Sequence, residues 1–188
     1  MRRFVLALAL LAPPPAFAHP GHDHGAGFLA GLAHPLGGLD HLVAMVAVGL
    51  WAASYGSRAM ALALPGAFLG GRVAGGMRGA FGPALAVVEY GVIGTAVLLA
   101  VAVAASLRLP VAASIGFVAL AGVLHGYAHG AEMTAGSSLA LYGTGFLVAT
   151  AALHALGFGV ARMATGRPAL IRGAGLCAAA VLLVTAFL

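Results

Sequence analysis

The stretch "VLHGYAHGAEM", residues 123–133, places His125, His129 and Glu132 at positions i, i+4 and i+7. On a helix those three side chains share one face. Such a face can present two imidazole nitrogens and a carboxylate to a single cation. A second stretch, "HPLGGLDHLVAM" at residues 34–45, carries His34, Asp40, His41 and Met45. His41 and Met45 are again i and i+4, whereas Pro35 disfavours helical geometry at His34 and weakens its alignment with His41. Glu89 and His154 stand alone in otherwise apolar surroundings. Glu89 can serve either the cation path or a structural pairing with Arg72 or Arg78. Met45 fits packing as well as ligation.

The elements that carry these groups are apolar throughout. The chain has 188 residues, 62% hydrophobic and 7% charged, with a mean hydropathy of +1.07. Soluble domains contain roughly 25% charged residues, so these helices are expected to lie in lipid. The pI near 10.4 comes from single, scattered arginines without aromatic interleaving, which excludes a nucleic-acid surface. The single cysteine, Cys177, excludes an intramolecular disulfide and a cysteine-based zinc site.

The N-terminus reads as a secretory signal: Arg2 and Arg3, the apolar run "FVLALALLA", then Ala16-Phe17-Ala18 as a small-x-small cleavage site. Residues 1–18 are the expected signal peptide. Residues 19–30 form a periplasmic tail whose His19, His22, Asp23 and His24 would capture metal at the mouth. Residues 31–188 are expected to form a six-helix transmembrane domain. Six apolar segments, near 31–55, 59–77, 83–106, 110–131, 137–162 and 168–188, each approach the ~20 residues needed to cross about 30 Å of hydrocarbon. The fold expected is all-α: a polytopic membrane protein, a six-transmembrane-helix bundle after a cleaved signal peptide. Glycines 66, 70, 71, 75 and 79 in the second span, and 122, 126 and 130 in the fourth, build small-xxx-small rows for close helix packing.

With the mature N-terminus outside the inner membrane of a bacterium, Arg58, Arg108, Arg162, Arg167 and Arg172 fall on the cytoplasmic side, and Arg72 and Arg78 on the other. That distribution follows the positive-inside bias. In this topology His34 lies near the outer surface, with His41 about 10 Å deeper at 1.5 Å per residue. His125, His129 and Glu132 reach the same outer half, and Glu89 lies roughly 9 Å deep. His154 lies about 25 Å down, near the cytoplasmic side. Ionisable groups within a bilayer cost roughly 2.5–3.5 kcal/mol each on insertion scales, so a convergence at one depth implies a ligand or a polar path. Imidazole with carboxylate suits Ni(II), Co(II) or Zn(II); Cu(I) prefers sulfur, and Mg(II) and Ca(II) prefer oxygen.

Four stretches, "HPLGGLDHLVAMVAVGLWA", "VEYGVIGTAVLL", "LHGYAHGAEM" and "LHALGFGV", resemble the HupE/UreJ family of nickel permeases. The resemblance covers the mature chain. It implies that His34, Asp40, His41, His125, His129 and Glu132 are transport determinants; Glu89, His154 and Met45, from their own places in the spans, are expected to be secondary along the pathway. It also implies nickel as the preferred cargo and inward transport, serving hydrogenase or urease maturation. One departure is Thr134, which stands where a proline commonly follows the Glu-Met pair and would loosen that helix end without removing a ligand. No permanently bound cofactor is expected: the metal, Ni(II) with Co(II) or Zn(II) as options, is cargo. The other partners are the bilayer and, as an option, further copies of the chain. Without a phosphate-binding loop the chain cannot itself drive an ATP pump. The competing class is an intramembrane zinc-dependent hydrolase, with Glu132 or Asp40 as general base.

Overall fold

Two adjacent glycines, Gly37 and Gly38, interrupt the first apolar segment, and Gly38 takes an extended conformation (φ −118°, ψ 126°). In a computed structural model that describes residues 27–133 and 138–186, the segment becomes α1 (Phe28–Ala33), a 3-10 turn (His34–Leu36) and α2 (Leu39–Ser54). The two arms meet at 86°. The segment expected as a span over 31–55 is therefore bent, and its second arm, at 16 residues, is shorter than the crossing expected of residues 36–55 alone. Pro35 is accommodated at the start of the turn, and the chain bends after it. The helix α1 also begins at Phe28, within the stretch expected to end the tail.

Five further helices follow: α3 (Arg58–Gly79), α4 (Ala86–Ala104), α5 (Val111–Ala131), α6 (Leu139–Met163) and α7 (Pro168–Ala186). Their limits lie close to the expected spans because Gly, Pro and Arg mark each break. The helices α4 to α7 are long and apolar enough to cross a membrane, and the bent pair qualifies when taken together. The helix α3 has the length, but its glycines and Arg72 dilute its hydropathy. No strand occurs among the described residues. Large apolar side chains such as Leu62, Tyr90, Leu156 and Leu176 cover the outside of the helices, as suits a bundle hydrophobic all round. The expected signal peptide and the capture residues His19, His22, Asp23 and His24 lie outside the described residues, as does Thr134.

The most extensive interface joins α3 to α5. A Cβ added at Gly71, Gly75 or Gly79 would overlap the backbone of Ala119, Val123 or Tyr127 on α5. Reciprocally, Gly122, Gly126 and Gly130 sit against the backbone of Phe68, Arg72 and Gly76 on α3. The glycine rows thus interleave, while Gly66 and Gly70 face open space. Two more glycine pairs fix α6: Gly145 and Gly31 join it to α1, and Gly157 and Gly49 join it to α2. Below the bend, Met45, Val48, Trp51, Leu64, Phe68, Leu99 and Val118 form one core. The C-terminal end of α2 is tied to the α4–α5 loop, where Trp51 Nε1 donates to the Leu107 carbonyl at 2.8 Å and Arg108 donates to the Ser54 carbonyl at 2.6 Å.

Gly75→Val and Gly126→Val each force branched carbons into the facing backbone, and overpacking of this kind costs on the order of 1–3 kcal/mol. Gly70→Ala fills open space and leaves stability unchanged. Thermal unfolding of detergent-solubilised protein, followed through Trp51 fluorescence, separates the two groups; equal midpoints for all variants would remove the interleaved contact as a source of stability.

Candidate metal centre

The bend brings His34 back over the first turn of α2. His34 from the turn, His41 from α2 and His129 from α5 each offer a ring nitrogen, and the three atoms lie within 4.8 Å of one another. The His34 Nε2 and His129 Nδ1 atoms are 3.1 Å apart. The His34 and His41 rings stack with centroids 6.5 Å apart, so the expected 10 Å step in depth between them is corrected: an unbroken helix would have spread them, and the bend folds them together. Gly38 makes room, since a Cβ there would come within 2.8 Å of Asp40 Oδ1 and 3.1 Å of the His41 ring.

Carboxylates flank this trio. Asp40 Oδ2 lies 3.2 Å from His41 Nδ1, and Glu132 Oε2 lies 3.5 Å from His129 Nδ1. The Asp40 contact is close but off the N–H axis, leaving His41 Nδ1 without an aligned hydrogen bond; it is a charge contact first. Glu132 lies just past the end of α5 and is half exposed. Partial burial, reinforced by the nearby Glu89 charge, raises its carboxyl above the ordinary value.

His125 sits one turn below His129, fully buried, with its ring 5.5 Å from His41. Its Nδ1 lies 2.8 Å from the Ala121 carbonyl. A carbonyl only accepts, so Nδ1 carries the proton and Nε2 keeps its lone pair. That Nε2, like His129 Nε2, has no hydrogen-bond partner among the described residues. A buried polar atom without a partner is costly, and a coordinated cation would supply one. The set fits a borderline divalent ion.

The remaining expected residues separate. Glu89 is exposed on the first turn of α4 and lines a cavity of about 260 Å³ together with Glu132 and Tyr127. Among the described residues it forms no ion pair with Arg72 or Arg78, which removes the structural pairing. Met45 is fully buried in the apolar core and belongs to packing. His154 on α6 is buried, and neither ring nitrogen has a partner among the described residues. One ring separates it from His125: Phe68 lies 5.5 Å from His125 and 5.2 Å from His154.

Phe68, Phe146 and Arg72 were not foreseen as parts of the site. Phe146 packs on His129 with ring centroids 4.9 Å apart and on His34 at 5.3 Å. The Arg72 guanidinium lies over the Phe146 ring, 3.4 Å from its centroid. A phenylalanine within an apolar span carries no compositional signal. Arg72 did carry one: a single charge in a glycine-rich span, four residues after Phe68.

Together the fold and site define a helical membrane protein with a buried histidine cluster suited to a divalent metal. The HupE / UreJ protein family model matches residues 6–185. Protein HupE of Rhizobium leguminosarum bv. viciae is 41% identical over 159 residues, covering 85% of this chain and 82% of that relative. No solved structure matches. The chain belongs to the HupE/UreJ family, a family of metal transporters and not of enzymes. It is a multi-pass membrane protein, and the hydrolase alternative is set aside.

Replacing His34, His41 or His129 by Ala is expected to weaken Ni(II) binding more than about tenfold, and Asp40→Asn by roughly tenfold, as for the loss of a carboxylate beside a ligand. Met45→Leu leaves affinity unchanged. Competition against a chromophoric chelator measures each value, and wild-type affinity in both His41→Ala and His129→Ala would remove the centre.

Proposed function

We propose that this protein is a secondary, ATP-independent permease that imports divalent nickel, with cobalt as a second cargo, across the bacterial inner membrane for hydrogenase or urease maturation. The observation that carries the reading is the convergence of His34, His41 and His129 nitrogens from three separate segments within 4.8 Å, in a chain of a metal-transporter family. In this reading the mature N-terminus is periplasmic, six crossings complete the bundle, and the histidine-containing tail delivers metal to the mouth.

The path begins at the carboxylates. Glu132 and Glu89 face the cavity at the ends of α4 and α5 and draw the cation in. The ion then exchanges part of its water shell for His34, His41 and His129, with Asp40 and Glu132 balancing its charge. His125 receives it one turn lower. Phe68 separates this layer from His154, so passage requires that ring to move; the single imidazole beyond it favours release. Neutral imidazoles hold the ion less tightly than an all-carboxylate cage would, and conduction needs weak, successive sites. The membrane potential drives inward movement, worth about 4.6 kcal/mol for a divalent ion at 100 mV.

Uptake of radioactive nickel into proteoliposomes, with cobalt and zinc as competitors, tests the reading. At matched reconstitution His41→Ala, His129→Ala and Glu132→Gln are expected to lower uptake at least tenfold. His154→Ala and Phe68→Leu change the rate while leaving equilibrium nickel binding intact. Uptake at wild-type level in the first three would exclude the shared site.

Acidification is expected to lower uptake. A ligating imidazole must be deprotonated, so falling pH adds a competing proton. The measurement is initial rate against external pH at fixed free nickel, and a rate that rises on acidification would contradict imidazole ligation.

A further inference from the structure

Arg72 is a buried charge that the transport path leaves unused. It is 5% exposed, and its two terminal guanidinium nitrogens are shielded from solvent with no hydrogen-bond partner among the described residues. No carboxylate among those residues pairs with it: Asp40 contacts His41, Glu132 contacts His129, and Glu89 is exposed on the cavity it shares with Glu132. Burying a charge without a partner is costly, and within a bilayer such a residue commonly marks function. Its position is set from two sides. Gly126 on α5 abuts the Arg72 backbone, and the guanidinium carbon lies 3.4 Å from the ring centroid of Phe146 on α6.

The same phenyl ring touches the metal centre. Phe146 packs on His129 and His34 with centroids 4.9 and 5.3 Å apart, so one aromatic ring is shared by the charge and two of the three converging imidazoles. Coulombic interactions are weakly screened where the dielectric constant is low, and no ion pair offsets this charge among the described residues. A guanidinium keeps its charge when buried and stacks by its plane on an aromatic face, yet it has no lone pair for a metal. Arg72 therefore repels a cation in the centre without adding a ligand, and it repels a divalent ion twice as strongly as a monovalent one. The imidazoles and carboxylates act in the opposite sense. The balance between them sets how long the ion stays.

We propose that Arg72 is a fixed positive charge that weakens cation retention at the histidine centre and so hastens the departure of the ion. Its effect on affinity rests on the histidine centre alone; its effect on rate rests on the permease reading.

The test titrates the full chain in maltoside micelles with nickel against a chromophoric chelator, and follows uptake of radioactive nickel into proteoliposomes. Arg72→Met and Arg72→Gln remove the charge, and both are expected to bind nickel about tenfold more tightly than wild type. In both, the maximal uptake rate and the half-saturating nickel concentration fall together. Arg72→Lys restores a charge and stays within about twofold of wild type in affinity. Thermal unfolding followed through Trp51 fluorescence reports whether each variant is folded. Unchanged or weakened nickel affinity in folded Arg72→Met and Arg72→Gln would overturn the proposal. Equal tightening in Arg72→Lys would do the same, making shape and not charge the cause. Loss of the fold in both neutral variants would also overturn it, in favour of a structural role. Wild type that binds nickel but takes none up would sink the permease reading, while the affinities would still decide the role of the charge. Wild type that binds no nickel would sink the centre and this proposal with it.

Discussion

Backbone contact between α3 and α5 is the constraint on which the other parts rest. Within lipid there is no hydrophobic drive to bring two apolar helices together, so close packing of small residues must do it. The glycines of the two helices alternate along the seam, each lying against the other's main chain. The contact has a register. Gly122 meets Phe68 and Gly126 meets Arg72, and each of these α5 glycines precedes a histidine by three residues. The face that brings the backbones together therefore also sets Phe68 and Arg72 beside His125 and His129. A slip of one residue would rotate the imidazoles away from the bundle interior.

The second half of the centre depends on a different device. A straight helix could not offer His34 and His41 to one ion from the positions they occupy in the chain. The bend after Leu36 turns α1 along α6, where Gly31 meets the Tyr142 backbone and Gly145 meets Phe28. His34 is thereby held between His129, Tyr142 and Phe146. Three apolar or aromatic surfaces thus support groups that would otherwise be expensive to bury. The distribution of charge follows the same logic. Imidazoles, neutral when they ligate, fill the buried positions; Asp40 is partly exposed and Glu132 half exposed. Burying both carboxylates without an ion would cost several kcal/mol each, whereas at the rim they keep part of their hydration.

Much of this was legible from residue order, for physical reasons that also mark its limits. The later helices agree with the expected spans because hydropathy is a local property and loop chemistry punctuates it. The shared face of His125, His129 and Glu132 was legible because helical spacing is also local. The bend was not: hydropathy continues across Gly37 and Gly38, and Pro35, the more conspicuous residue, fits the turn without causing the break. Depth along a span is a poor coordinate where the chain folds back, which is why His34 and His41 were placed too far apart. The glycine rows announced close packing, but only tertiary structure distinguishes Gly75, against α5, from Gly70, facing outward. Arg72 was legible as a charge and was assigned to topology, since neither its burial nor its stacking on Phe146 is encoded locally.

A site that binds a cation tightly and a path that passes it on make opposite demands, and the arrangement of groups separates them in space. Donors are densest where α1, α2 and α5 meet, with three imidazoles and two carboxylates. One turn inward only His125 remains, its tautomer set by the Ala121 carbonyl. Beyond it Phe68 offers no ligand, and His154 offers one. On the transport reading the ion thus moves from high to low coordination, and the aromatic ring keeps the two ends from sharing it. The same ring belongs to the residue whose carbonyl rests on Gly122. The least accommodating point of the path is therefore built on the most tightly packed seam of the bundle, so its opening requires either a rotamer change of Phe68 alone or a movement of α3 against α5 as a unit. A side-chain gate leaves the glycine seam intact and is the smaller change.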